Sequence, residues 1–127
     1  MANSKKVLII DDEAHIRRVI ELKLKKKGYQ VLMAQDGEEG LHMIKEQKPD
    51  VVITDLNMPK LDGKTLCEQT HELKKEQPFL TIVITARIRT DEDIWLDKMD
   101  DTLFMEKPFS PSKLAEHIDN HFESQSL

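Results

Sequence analysis

The chain is short of the features on which several specialised protein classes depend. It has a single cysteine, Cys67, among 127 residues, which excludes an internal disulfide and any cysteine-rich metal module. Four glycines and five prolines are too few, and the remaining residues too patterned, for a fibrous or disordered chain. Basic residues do not predominate. Lys plus Arg is 19 against 24 for Asp plus Glu, giving a formal charge of −5. A dedicated nucleic-acid binder carries the opposite balance, so direct contact with nucleic acid is not expected. No apolar run approaches the roughly 20 residues of a membrane span, and no hydrophobic region like that of a secretion signal follows the opening MANSKK. Membrane insertion is therefore not expected, and the location expected is cytoplasmic. What is present suits one compact unit. Apolar residues make up 39% of the chain and charged residues 34%, enough for one layered core and a solvated surface, so a single domain over residues 1–127 is expected.

Hydrophobic patterning alternates between two kinds of segment. Val7–Ile10, Val51–Ile53 and Leu80–Ile84 are continuous, β-branched apolar runs, the signature of strands buried on both faces. Tyr29–Met33 and Leu103–Met105 are shorter strand candidates. Between them the period changes to that of a helix. Ile16, Val19 or Ile20, and Leu24 recur along the first helical stretch, which Gly28 stops. Asp36-Gly37 reads as a turn before a second helix over Glu38–Glu46 with Leu41 and Ile44 inward. Lys64–Glu76 carries a thin stripe of Leu66, Cys67, Thr70 and Leu73, and Pro78 ends it. A charged helical segment spans about Asp91–Met99. Ser110 and Pro111 suit the cap and first position of a last helix bearing Leu114 and Ile118. The order βαβαβαβαβα predicts an α/β fold in three layers, a (βα)5 open parallel sheet with right-handed crossovers.

In such a sheet, ligands sit beyond the carboxyl ends of the strands. Asp11 and Asp12 follow the first strand and Asp55 the third. If the central strands are neighbours these carboxylates converge, and converging carboxylates call for a cation, most naturally a hard divalent ion such as Mg²⁺. Thr85 after the fourth strand adds a hydroxyl, and Lys107 after the fifth an ammonium. Carboxylates, metal, hydroxyl and lysine together suit a transferring phosphoryl group, which one carboxylate can attack as a nucleophile.

Asp11-Asp12, Asp55 within DLNMPKLDG, Thr85-Ala86 and Lys107-Pro108-Phe109 stand in this order along the chain. No single element is specific, but the ordered set resembles the receiver domain of bacterial two-component and phosphorelay response regulators, in particular the single-domain chemotaxis-regulator type. The resemblance runs from Lys6 to about Phe122, within a receiver core of about residues 5–123. It implies the doubly wound, flavodoxin-like fold with strand order 2-1-3-4-5. It implies that Asp55 is the phosphoacceptor, forming an aspartyl phosphate from a phosphohistidine. It further implies that Asp12, Asp55 and the backbone carbonyl of Asn57 bind Mg²⁺ (with Mn²⁺ as a substitute), while Asp11 acts mostly through water. Lys107 is expected to pair with Asp55 or the phosphate, and Thr85 to move onto a phosphate oxygen. Phe104 matches the switch aromatic that turns inward as Thr85 moves. Pro59 and Gly63 read as loop geometry, and a cis bond is expected before Pro108.

The same resemblance implies partners. A sensor histidine kinase or histidine phosphotransfer protein is expected to dock through the first helix, which carries Arg17 and Arg18. A downstream protein, or an output domain of the same protein, is expected on the face of the fourth helix, fifth strand and fifth helix, where Trp95 reads as a packing residue. A phosphorylation-dependent homodimer is a further form that face allows. The lysines from Lys23 to Lys27 read as a solvated helix end that suits the helix dipole. His15 is the one histidine near the acidic cluster, where it could modulate entry. Three departures from the family pattern stand out. Asp100-Asp101 occupies the usual Gly-Ala position, Asn57 and Arg87 occupy positions that tune phosphate lifetime, and phenylalanine rather than tyrosine stands at 104. Two other functions compete with a signalling switch that is not an enzyme. A Mg²⁺-dependent phosphohydrolase would also use an aspartyl phosphate, but generally carries an acid where Asn57 stands, and a cap domain. A phosphorylation-independent binding module would have no need of the complete acceptor set.

Overall fold

The structure, a computed structural model, describes residues 5–56, 63–86, 102–107 and 109–126, with residues 63 and 124–126 described by backbone alone. Its strands are β1 (Lys6–Ile10), β2 (Gln30–Ala34), β3 (Val51–Thr54), β4 (Leu80–Thr85) and β5 (Thr102–Glu106). The helices among the described residues are α1 (Ala14–Lys26), α2 (Gly37–Gln47), α3 (Gly63–Glu76) and α4 (Pro111–Ser126). The helix expected around Asp91–Met99 lies outside the described residues, so α4 is the last helix of the sequence reading. All strand pairs are parallel, and the sheet order is β2-β1-β3-β4-β5. The fold is the flavodoxin-like α/β arrangement implied by the resemblance.

Alternating strand residues explain the layers. Val7, Ile9, Val51, Ile53, Ile82 and Ile84 meet Ile20 and Leu24 of α1 and Leu114, Ala115 and Ile118 of α4 in one buried cluster. Leu8, Ile10 and Val52 meet Ile44 of α2 and Leu66 of α3 in another. β1, β3 and β4 are buried at every described position except the first of β1, whereas β5 is half-buried at best. Each fully buried Ile or Leu contributes about 2 kcal/mol of transfer free energy, so the centre of the sheet dominates the core.

Local chemistry sets the element ends. At the end of α1 the Tyr29 N–H donates to the Leu24 carbonyl and the Gly28 N–H to that of Lys25, both at 3.1 Å. That is a Schellman closure, and Gly28 supplies its left-handed residue at φ 92°. Of the alternatives Val19 and Ile20, the structure buries Ile20 and leaves Val19 exposed. The strand after Gly28 starts at Gln30, because Tyr29 belongs to this closure. Asp36-Gly37 is a helix start rather than a free turn: the Asp36 carboxylate accepts the Glu39 N–H at 2.8 Å, capping α2. Ser110 caps α4 as expected, its hydroxyl oxygen accepting the Lys113 N–H at 3.2 Å. Near its far end α4 is tied back to the α1–β2 turn, where Asp119 accepts hydrogen bonds from the Tyr29 hydroxyl and the Lys27 ammonium. On the other face α2 lies against β1 at Gly40. A Cβ there would come within 2.5 Å of Ile10 Cδ1 and 2.9 Å of Ile10 Cγ1, so this approach requires glycine.

Candidate functional site

The site forms where the carboxyl ends of β1, β3, β4 and β5 meet. Asp11 follows β1, and its N–H donates to the Ala34 carbonyl of β2 at 3.2 Å; Asp55 follows β3, and its N–H donates to the Ile10 carbonyl at 3.3 Å. Both backbones thus continue the sheet ladder past the strand ends, and both side chains are buried. Asp11 Oδ1 accepts the Glu13 N–H at 2.9 Å, and the Arg17 guanidinium donates to the Asp11 carbonyl from α1. Thr85 is the last residue of β4 and fully buried. Its carbonyl accepts the Lys107 N–H at 2.8 Å, which fixes the start of the Lys107 side chain beside it.

The Lys107 ammonium lies among three carboxylates. Nζ is 2.9 Å from Asp55 Oδ2, 3.2 Å from Asp11 Oδ2 and 2.9 Å from Glu13 Oε1. The lysine side chain is 11% exposed. Its burial alone would lower its pKa, but the hydrogen bonds to Glu13 and Asp55, and the charges of Asp11 and Asp55, outweigh this and hold it well above the usual lysine value. The lysine is therefore cationic at neutral pH. The pKa of Asp11 is raised as well, which for an acid disfavours the charged form. Burial raises its pKa, opposed by the Glu13 N–H and by Lys107, while the neighbouring Asp55 charge adds to the rise. One carboxylate oxygen from each of Asp11, Asp12, Glu13 and Asp55 lies within 4.8 Å of the others. A set of anionic oxygen donors around the Lys107 ammonium fits a hard divalent cation such as Mg²⁺.

Asp11, Asp55 and Lys107 are thus brought into contact, Asp12 stands at the exposed rim, and Thr85 lies at the adjoining strand end. Phe104 is half-buried on β5, packed against Leu56, Cys67 and Val83. Gly63 opens α3. Asn57, Pro59 and Pro108 lie outside the described residues, as do Arg87, Trp95 and Asp100-Asp101. Two participants were not singled out by the sequence. Glu13 contacts Lys107 across 94 positions of chain, and its one sequence signal was adjacency to Asp11-Asp12. Arg17, expected only as part of the helix that docks the phosphodonor, reaches back to the Asp11 carbonyl.

A family model described as the response regulator receiver domain matches residues 7–119. The chain belongs to this family. The receiver is 42% identical over 113 residues to the probable transcriptional regulator ycf27 of Porphyridium aerugineum, covering 89% of this chain and 46% of that protein. It is 35% identical over 115 residues to the alkaline phosphatase synthesis transcriptional regulatory protein PhoP of Bacillus subtilis strain 168, covering 91% of this chain and 47% of that one. The chain spans about half the length of these curated relatives. Among solved structures, a CheY-like response regulator receiver domain protein of Methanospirillum hungatei superposes with a TM-score of 0.87 at 27% identity, covering 97% of both chains. These are receiver folds, so the acidic cluster belongs to a response regulator receiver domain of two-component systems. No helix among the described residues is long and apolar enough to cross a membrane.

Proposed function

We propose that this receiver is a phosphorylation-driven signalling switch in which Asp55 takes a phosphoryl group from a phosphohistidine. The donor is a sensor histidine kinase or a histidine phosphotransfer protein. The observation that carries the reading is the contact of Asp55 with Lys107 at 2.9 Å beside buried Asp11 and Thr85. An Asp55 carboxylate oxygen attacks phosphorus, and the P–O bond forms as the P–N bond to the imidazole breaks. Lys107 first balances the Asp55 charge and then the phosphoryl oxygens. The Thr85 hydroxyl hydrogen-bonds one of those oxygens, and Phe104 follows it inward to alter the surface around β5. Asp12, Asp55 and the Asn57 carbonyl would hold Mg²⁺, or Mn²⁺ in its place, with Asp11 acting through water, and the ion would supply positive charge to offset that of the phosphoryl oxygens.

The phosphodonor docks on α1, where Val19 and Leu22, three positions apart on one helix face, stand exposed at 43% and 51% and offer apolar contacts. The downstream protein partner or output domain, and a phosphorylation-dependent homodimer, use the surface that includes β5 and α4. The chemistry is confined to its own phosphorylation and dephosphorylation, without an external substrate, and the setting is cytoplasmic.

The test is intact mass after incubation with acetyl phosphate and Mg²⁺. A gain of one phosphoryl group is expected, and it should vanish in Asp55→Asn or on chelation of the metal. Persistence in either condition overturns the assignment. Steady turnover of an external phosphomonoester would instead mark a phosphohydrolase.

A further inference from the structure

We propose that Glu13 is a positioning residue that tethers the Lys107 ammonium in the unphosphorylated state and competes with an incoming phosphoryl group for it. The inference rests on the phosphoacceptor reading of Asp55. Glu13 occupies the N-cap of α1 with extended backbone (φ −91°, ψ 111°), yet its side chain makes no capping hydrogen bond. A carboxylate at a helix N-terminus is favoured both by the unpaired N–H groups and by the helix dipole. This one reaches instead across the mouth of the site, where Oε1 meets Lys107 Nζ at 2.9 Å. The backbone of Glu13 is fixed for that reach: its N–H donates to Asp11 Oδ1 and its carbonyl accepts the Arg17 N–H at 3.2 Å. Its side chain is 47% exposed, against 5% for Asp11 and 8% for Asp55. Of the three carboxylates on Lys107, Glu13 is therefore the one that can swing into solvent without leaving a buried charge behind.

A phosphoryl group on Asp55 brings several anionic oxygens to an ammonium that has three donors and already faces three carboxylates. Asp11 and Asp55 are anchored by their strand ends, so room for a phosphoryl oxygen comes from the release of Glu13. The tether lowers the free energy of the unphosphorylated form relative to the phosphorylated one, and removing it favours the phosphorylated form. The half-exposed pair limits the effect to roughly two- to fivefold in affinity.

Beryllofluoride with Mg²⁺ serves as the phosphoryl mimic, with binding followed by calorimetry on the wild-type chain, Glu13→Gln and Glu13→Asp. Glu13→Gln removes the charge. Glu13→Asp keeps it, but withdraws the carboxylate by one methylene, out of reach of Nζ. Both variants are expected to bind the mimic two- to fivefold more tightly. Glu13→Asp should also melt slightly higher than wild type without ligand, because aspartate is a favoured N-cap. Tighter binding by Glu13→Gln alone would assign the effect to charge repulsion and overturn the tether. Unchanged or weaker binding in both variants would overturn it too, weaker binding marking Glu13 as a metal ligand. If the wild-type chain itself fails to bind the mimic, the phosphoacceptor reading falls and the tether with it.

Discussion

Burial raises the pKa of Asp11, and the Asp55 charge adds to the rise against the opposing Glu13 N–H and Lys107 ammonium, so the folded receiver favours its protonated form. A carboxylic acid whose pKa is raised on folding binds protons more tightly in the folded state. Its contribution is therefore most favourable below its unfolded pKa and is lost as pH rises through the folded value. Asp11→Asn should accordingly raise the Tm of the metal-free receiver at pH 7, while removing most of the stabilisation that Mg²⁺ gives the wild-type chain. Thermal melts with and without Mg²⁺ check both parts. The gap between variant and wild type should close as pH falls through the carboxylate range; a gap that widens in acid would contradict the account. Lys107 shows the reverse design, a cation stabilised by the acids it offsets.

At the scale of elements, the contact of α2 with β1 depends on Gly40. Alanine is the better helix former by about 1 kcal/mol, but here its methyl would meet Ile10 Cδ1 at 2.5 Å. Ile10 is fully buried, and overpacking of this kind costs about 1–3 kcal/mol. Gly40→Ala should therefore destabilise the receiver by about 1 kcal/mol net. The same substitution in an Ile10→Val background, which lacks Cδ1 but keeps the Cγ atom at 2.9 Å, should cost less. Urea midpoints of the four proteins decide this, and destabilisation by the same amount in both backgrounds would refute the steric account. Glycine at this position gave no sequence signal, since the clash lies with a strand thirty positions away. The strongest elements were legible for the opposite reason: β1, β3 and β4 are buried on both faces, so their composition alone marks them. Boundaries were less legible. Tyr29 was read into β2 because its aromatic side chain suits a strand, whereas its N–H closes α1. Asp36-Gly37 was read as a turn because the same residues suit turns and helix starts alike. In the site, residue types at strand ends were visible in the sequence, and contacts such as Glu13 with Lys107 were not, because they depend on side-chain reach between distant segments.

Across the whole molecule the sheet is uneven. β1 and β3 have strand partners on both sides and are buried through almost their whole length; β5 pairs with β4 alone and has only half-buried and exposed positions. Local opening should therefore be cheaper at β5 than at β1 or β3. Native-state hydrogen exchange is expected to give β5 amides, and the adjoining Lys107 N–H on the Thr85 carbonyl, an opening free energy at least about 2 kcal/mol below that of β1 and β3 amides. Equal protection across the sheet would contradict this. Asp11 and Asp55 stand at the ends of the interior strands, whereas Lys107 and Phe104 belong to the edge. The consequence is one of timescale. The Lys107 side of the site can leave and return by local motion in microseconds to milliseconds, while Asp11 and Asp55 are held by the interior strands, so the receiver can exchange its countercharge many times within the lifetime of one folded molecule.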